Sequence, residues 1–246
     1  MMLQGRVAFL TGAGSGIGRA GALALARAGA WVTVTDLDGA RAEAVAAEIR
    51  GAGGHAEGLT LDAADAAAVT LAINEVAARG RLDILHSHAG IQVSGGLEQA
   101  TVADMDASWR LNVRAHFVAA QAAMPHMRAQ GGGSIILTAS NSGVQIDRGM
   151  IAYATTKHAV IAMARQIAAD HARFNVRCNA LCPGFVDTPF NDGFQRQMGG
   201  RAALESYVAQ TIPMGRWARV EEIAAAVVYL ASDQSAFMTG HALVID

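Results

Sequence analysis

The sequence predicts an α/β fold: a doubly wound parallel sheet of about seven strands with helices on both faces. Three observations carry that expectation. Short apolar runs alternate with alanine-rich stretches of helical length along the whole chain, which is the rhythm of a parallel sheet covered by helices. The runs are apolar almost throughout, as strands buried on both faces must be. Only four prolines occur, with no low-complexity linker and no internal repeat, so residues 1–246 read as a single domain.

Strands are expected at 6–10, 31–35, 56–61, 83–88, 134–139, 176–181 and 242–245. Helices are expected at 16–28, 40–50, 64–79, 102–128, 153–172 and 220–231. The segment 184–200 breaks the rhythm with Pro189, several polar residues and Phe185, Phe190 and Phe194. It follows a strand end, where ligands bind in such sheets, and reads as a mobile loop with short helices that closes over a substrate (about 184–210).

Bulk properties exclude several classes. The chain is 52% hydrophobic, but its apolar stretches are broken by Gly, Arg, Asp or His and fall short of the about 20 residues of a spanning helix. The start, Met1-Met2-Leu3-Gln4-Gly5-Arg6, lacks the charged beginning and long apolar run of a secretory signal. The formal net charge is -2 without a basic stripe or acidic tail, so neither nucleic acid nor membrane is an expected partner. Cys178 and Cys182 lie close together in an apolar run. They make no disulfide framework, fit a reducing cytoplasm and are expected as buried packing.

Thr11-Gly12-Ala13-Gly14-Ser15-Gly16-Ile17-Gly18 follows the first strand and opens the first helix. Glycine lets the chain turn sharply and lets its backbone approach a pyrophosphate, while the helix N-terminus offers unpaired N–H groups to that anion. Asp36 ends the second strand about 20 residues further on, where an acid holds the adenosine ribose hydroxyls. A carboxylate there repels a 2′-phosphate, by roughly 4 kcal/mol for unit charges about 4 Å apart at an effective dielectric of 20. Neither Ser15 nor Leu37 is an Arg or Lys that would offset this, so the expected cofactor is NAD.

Tyr153 and Lys157, four apart at the start of a helix, are neighbours on one face. A tyrosine hydroxyl titrates near 10 and must fall by about 3, roughly 4 kcal/mol, to accept a proton at neutral pH. An adjacent ammonium and an oxidised nicotinamide both favour the phenolate. Ser140 ends the fifth strand, thirteen residues earlier, and is placed to hold the substrate oxygen.

Together these residues resemble the short-chain dehydrogenase/reductase family, over essentially the whole chain. The resemblance rests on the turn Thr11 to Gly18; on Asp62, matching the acid set against the adenine; and on Asn112, matching the catalytic asparagine. It rests also on Ser140, Tyr153 and Lys157 at the family spacing, and on Pro183-Gly184 followed by Val186 and Thr188. It implies a Rossmann fold. It further implies Tyr153 as general acid/base, Lys157 lowering its pKa and binding the nicotinamide ribose, and Ser140 polarising the carbonyl. Asn112 would hold a water of a proton relay, and Thr188 with the Val186 backbone would hold the carboxamide. The implied cofactor contacts also include Gly12, Ser15, Gly16, Ile17, Gly18, Asp36, Leu37, Ala63, His88, Ala89, Gly90, Pro183 and Gly184. A homotetramer follows from the resemblance too, with helices 102–128 and 153–172 supplying interface faces.

Two features depart from the family. Its Asn-Asn-Ala-Gly becomes Ser87-His88-Ala89-Gly90 here, which alters the side-chain bonding that stiffens the fourth strand but not the backbone contacts. His86 and His88 point alike without a third ligand, so no metal is expected. The family often finishes Val-Asp-Gly-Gly with a tail, whereas this chain stops at Ile245-Asp246.

The expected reaction moves a hydride between nicotinamide and a secondary alcohol or ketone. The loop after Ser140 contains the polar residues Gln145, Asp147 and Arg148, and the later loop adds Asn191, Asp192, Gln195 and Arg196. A polar small molecule (a sugar, polyol or sugar acid) is therefore the expected substrate, with Gln92, Ser142, Gln145, Arg148 and Phe185 as candidate contacts. Arg148 could pair a carboxylate bidentately. The alternatives are a 3-oxoacyl reductase, a steroid dehydrogenase, or an NAD-binding sensor without turnover.

Overall fold

The computed structural model describes residues 1–246. Seven parallel strands form one sheet: β1 Val7–Leu10, β2 Trp31–Asp36, β3 His55–Thr60, β4 Ile84–Ser87, β5 Gly133–Thr138, β6 Val176–Pro183 and β7 Ala242–Ile245. Their order is β3-β2-β1-β4-β5-β6-β7, so the winding reverses between β1 and β4. That reversal opens a crevice at the strand carboxyl ends, where ligands bind in sheets of this kind.

Helices cover both faces. On one lie α1 Gly16–Arg27, α2 Gly39–Gly51 and α9 Val220–Ala231; their core joins Leu25, Val45, Ile49, Val227 and Leu230 to Val32 and Val34 of the sheet. On the other lie α3 Ala66–Ala78, α5 Ala115–Ala129 and α6 Ile151–His171, around Phe9, Ile73, Met127, Leu137 and Val160. Two separate apolar layers explain why the strands carry apolar residues on both sides. Every expected strand is present, and five of the six expected helices match to within two residues at each end. No helix is long and apolar enough to cross a membrane.

The expected helix 102–128 is interrupted. It begins as α4 Val102–Trp109, widens into a π turn at Arg110–Arg114 and continues as α5. Asn112 sits in that turn, and π turns recur at functional sites. The apolar periodicity passes through a one-residue bulge almost unchanged, which is why the break escapes a sequence reading.

The segment after β6 carries α7 Asp192–Gln197 and α8 Arg201–Thr211. Phe185 packs against Phe194, Tyr207 and Trp217 at centroid distances of 6.0, 5.9 and 5.7 Å. Arg201 grips the Asp187 carboxylate with both terminal nitrogens at 2.7 and 3.0 Å and lies 5.1 Å from the Trp217 ring centre. The segment is thus a packed lip rather than a bare loop, and Phe185 is part of its core.

Candidate active site

The crevice starts at the glycine-rich turn. Thr11 accepts hydrogen bonds from the His88 and Ala89 N–H groups at 3.0 and 3.2 Å, tying the turn to the end of β4. A Cβ on Gly12 would stand 2.9 Å from the Ala89 Cα, and one on Gly18 only 2.2 Å from the Gly12 carbonyl oxygen. Both positions therefore require glycine. Helices α2 and α3 are capped by Asp38 and Asp65, but α1 begins at Ser15 without a side-chain cap. Its first-turn N–H groups, around Gly16, Ile17 and Gly18, are left for an anion. Thr188 reaches this helix end from the lip: a Cβ on Gly16 would lie 3.3 Å from its methyl carbon.

Asp36 is held at the end of β2 by the Gly14 N–H (2.9 Å) and the Asp38 N–H (3.0 Å). Leu37 beside it is exposed. Asp62 lies just past the adjacent end of β3, accepting from the Ala64 N–H at 2.8 Å, with Ala63 buried next to it. The backbone and carboxylates thus outline an elongated cradle that fits a dinucleotide. A basic side chain also borders this cradle. Arg41, in the first turn of α2, places its Cβ 2.8 Å from where a Gly14 Cβ would stand, and its Nε pairs with Asp38 at 3.2 Å. Looking only at positions 15 and 37 misses it, because the helix folds back over the turn.

Ser140, Tyr153, Lys157 and Asn112 converge at the ends of β4 and β5, all buried. Asn112 donates to the Ile91 carbonyl (2.9 Å) and Thr156 hydroxyl (3.1 Å) and accepts from the Ile91 N–H (2.8 Å). Gly90 lies between them: a Cβ there would be 3.0 Å from the Asn112 carbonyl oxygen and 3.5 Å from the Lys157 ammonium. Lys157 donates to the Thr138 carbonyl at 3.0 Å and stands 5.5 Å from the Tyr153 ring centre. Burial lowers its pKa to about 8.

The Tyr153 hydroxyl lies above its ordinary value in the chain alone. Burial pushes it up to about 12; the hydrogen-bonded Ser140 draws it back and the Asp147 charge adds to the rise. The chain's own groups hold a neutral phenol, because desolvation penalises the anion more than its partners favour it.

The altered Ser-His-Ala-Gly turn makes a different internal network. His86 and His88 meet on the Thr138 hydroxyl at 3.0 and 3.1 Å, and Ser87 bonds His116 at 2.6 Å. Burial, with Lys157 nearby, lowers His88 to about 4, and burial takes His86 and His116 well below the usual histidine value. The rings of His86 and His88 tie the end of β4 to β5, and His116 ties β4 to α5. No three His, Cys, Asp or Glu side chains are grouped to hold a metal, and Cys178 and Cys182 are buried free thiols.

On the substrate side, Ser142 lies against Ser140, their hydroxyl oxygens 3.2 Å apart. Gln145 and Arg148 are exposed, and Arg148 makes no ion pair. Gln92 is half-buried just beyond Gly90. Phe185 is turned into the aromatic core of the lip, and the ring facing Tyr153 is Phe190, at 6.2 Å. Pro183 ends β6, and the Gly184 N–H bonds the Ile245 carbonyl at 2.8 Å. Val186 is bridged to Ala218, and its carbonyl accepts from Asn191 at 2.7 Å.

The family model described as enoyl-(acyl carrier protein) reductase matches residues 12–246. The 2-keto-3-deoxy-L-fuconate dehydrogenase of Xanthomonas campestris pv. campestris is 40% identical over 99% of this chain and 80% of its own length. The chain belongs to the short-chain dehydrogenase/reductase family. The D-threitol dehydrogenase of Mycolicibacterium smegmatis is 38% identical, over 99% of this chain and 92% of its own. The gluconate 5-dehydrogenase of Burkholderia cenocepacia J2315, solved with NADP and tartrate, superposes with a TM-score of 0.92 at 37% identity, covering 99% of this chain and 94% of its own. As a short-chain dehydrogenase/reductase, the protein is an oxidoreductase that uses a nicotinamide dinucleotide and acts on an alcohol or its ketone.

Proposed function

We propose that this short-chain dehydrogenase/reductase prefers NAD and interconverts a secondary alcohol and ketone on a sugar, polyol or sugar acid. The observation that carries the reading is the buried Ser140–Tyr153–Lys157 set at the floor of the crevice. Ser140 holds the substrate oxygen, Tyr153 exchanges its proton, and Lys157 supplies positive charge beside the tyrosine ring. Asn112 fixes the Ile91 backbone and the α6 helix on which Tyr153 and Lys157 ride. In the direction of reduction, the neutral Tyr153 is the proton donor its surroundings favour. In oxidation it must be drawn toward phenolate, by Lys157 while protonated. When bound, the cofactor accepts or supplies the hydride and, oxidised, adds positive charge.

Residues at the α1 turn (Gly12 to Gly18), Asp36, Leu37, Asp62, Ala63 and the 88–90 backbone would hold the adenosine and pyrophosphate half. Pro183, Gly184, Val186, Thr188 and Lys157 would hold the nicotinamide half. Asp36 supports NAD, since a carboxylate held by two N–H groups at the end of β2 would repel a 2′-phosphate bound beside it. The polar residues around Ser142 support a hydroxylated substrate, as does the likeness to a threitol and a deoxy-fuconate dehydrogenase.

The test is NADH formation by the purified protein with NAD or NADP against alditols, aldonates, sterols and simple secondary alcohols. Turnover is expected with NAD and a hydroxylated substrate, lost by at least about 100-fold in Tyr153→Phe, the scale of a missing general acid/base. Tight cofactor binding without turnover in either direction would point to a sensor, and a preference for NADP would overturn the cofactor assignment.

We also infer a cytoplasmic homotetramer. A groove of about 760 Å³ runs between α5 and α6, lined by Phe117, Met124, Arg128, Ile167 and Phe174, and a second copy would bury it symmetrically. Light scattering should return about four times 25.4 kDa; a monomer would exclude it.

A further inference from the structure

Beside Ser140, the loop after β5 builds a second polar arm that the reaction itself does not use. Ser142, on the turn Asn141–Gly143, lies with its hydroxyl 3.2 Å from that of Ser140 and donates to the Asp147 carboxylate. The other Asp147 oxygen receives only the Gln145 amide, at 3.4 Å. Asp147 is half-buried and forms no ion pair. Its neighbour Arg148 is exposed and unpaired, so no cation neutralises the carboxylate. An ionised carboxylate is an acceptor with about four lone-pair sites, and two contacts leave it open to more.

We propose that Ser142 and Asp147 form a subsite for a second hydroxyl of the substrate, next to the reacting carbon, and that this subsite selects neutral polyhydroxy compounds over sugar acids. The proposal rests on the reading of the protein as a dehydrogenase of hydroxylated substrates and narrows it. An alcohol bound through Ser140 places its neighbouring hydroxyl toward the Ser142 hydroxyl and the Asp147 carboxylate. A hydroxyl donating to a carboxylate makes a charge-assisted bond, and a site built for that bond discriminates against analogues that cannot make it. A substrate carboxylate on the same arm brings two like charges together in a partly desolvated place. Asp147 already acts electrostatically within this site, since its charge is felt at the Tyr153 hydroxyl. The carboxylate-binding role expected of Arg148 is thereby replaced by a hydroxyl-binding role for the residue before it.

The experiment compares kcat/KM for a neutral four- to six-carbon alditol (threitol, xylitol) and an aldonate (gluconate) in the cofactor-saturated wild type, Asp147→Asn and Ser142→Ala. Wild type should favour the alditols. In Asp147→Asn the alditol value should fall about tenfold, mainly through KM, while the aldonate value rises, so that the preference narrows or inverts. Ser142→Ala should weaken alditols and keep the discrimination against aldonates, because the charge remains. Equal losses for both substrates in Asp147→Asn would mark a structural role and overturn the proposal. So would a wild type that prefers aldonates, or a preference unchanged by the substitution. A wild type that binds cofactor but oxidises none of these compounds would instead bring down the dehydrogenase reading on which the proposal rests.

Discussion

The two ends of the crevice are made differently. At the carboxyl ends of β1 and β2 the site is backbone: glycines without room for a Cβ, an uncapped helix, and one carboxylate held by two N–H groups. At the ends of β5 and β6 it is side chains, gathered from the loop after β5, from α6 and from the lip. A backbone site depends on a few consecutive residues and varies little. A side-chain site can be rebuilt by single substitutions, which is how one scaffold serves many substrates.

The sharpest way to break that contrast is Gly18→Ala. Its Cβ would fall 2.2 Å from the Gly12 carbonyl oxygen. We expect the turn to move, cofactor affinity to drop by about 100-fold and stability to fall by about 2–3 kcal/mol, the upper range for overpacking. Fluorescence titration with NADH and urea unfolding read both. Normal binding would mean that the turn is adaptable after all.

The seam between the two ends, the histidine network on β4, sets the next effect. His88 is lowered from 6.5 to about 4, so the folded state takes up its proton less readily than the unfolded chain. That stability is fully present above about pH 6.5 and is lost as pH falls toward and through about 4. At about 1.4 kcal/mol per pH unit, His88 contributes at most about 3 kcal/mol, less to the extent that its half-buried ring meets solvent, and the fully buried His86 and His116 act in the same direction. Melting temperature should decline steeply between pH 6.5 and 4. A flat profile over that range would show that the rings are not buried as neutral groups.

Asp36→Asn tests the carboxylate that the Gly14 and Asp38 N–H groups hold at the backbone end. Removing its charge should lower the ratio of NAD to NADP kcat/KM by about tenfold, less than a fully desolvated pair would give because the site is partly open. Arg41 beside it is the group that would then meet the phosphate, so Arg41→Ala in the same background should reverse part of the gain. The smallest effect belongs to the lip. Arg201→Ala removes an exposed ion pair with Asp187 and the contact over Trp217, and should raise substrate KM about threefold while leaving cofactor affinity alone. An equal loss of cofactor affinity would erase the distinction between the two ends.

Seven strands, the flanking helices, the glycine turn, Asp36 and the Tyr153–Lys157 pair after Ser140 were legible in local spacing, whereas Asn112 was implied only by the family resemblance. Periodicity marks an element wherever it packs, and a helix puts residues 153 and 157 on one face without outside help. The rest depended on distant segments meeting. The π turn at Asn112 sits where the Asn112 side chain bonds Ile91 and Thr156, partners far away in sequence. Arg41 meets the Gly14 turn because α2 folds back on it, and Phe185 packs against Trp217 and Tyr207 in the lip. In the chain alone the Tyr153 hydroxyl is raised, because burial is a property of the packed crevice and not of the Tyr–Lys spacing. The sequence by itself determined the architecture and the chemical groups, since local backbone preference and hydrophobic pattern act over a few residues. Only the tertiary structure decided which polar groups share a desolvated space, and there the strength and direction of every electrostatic effect is set.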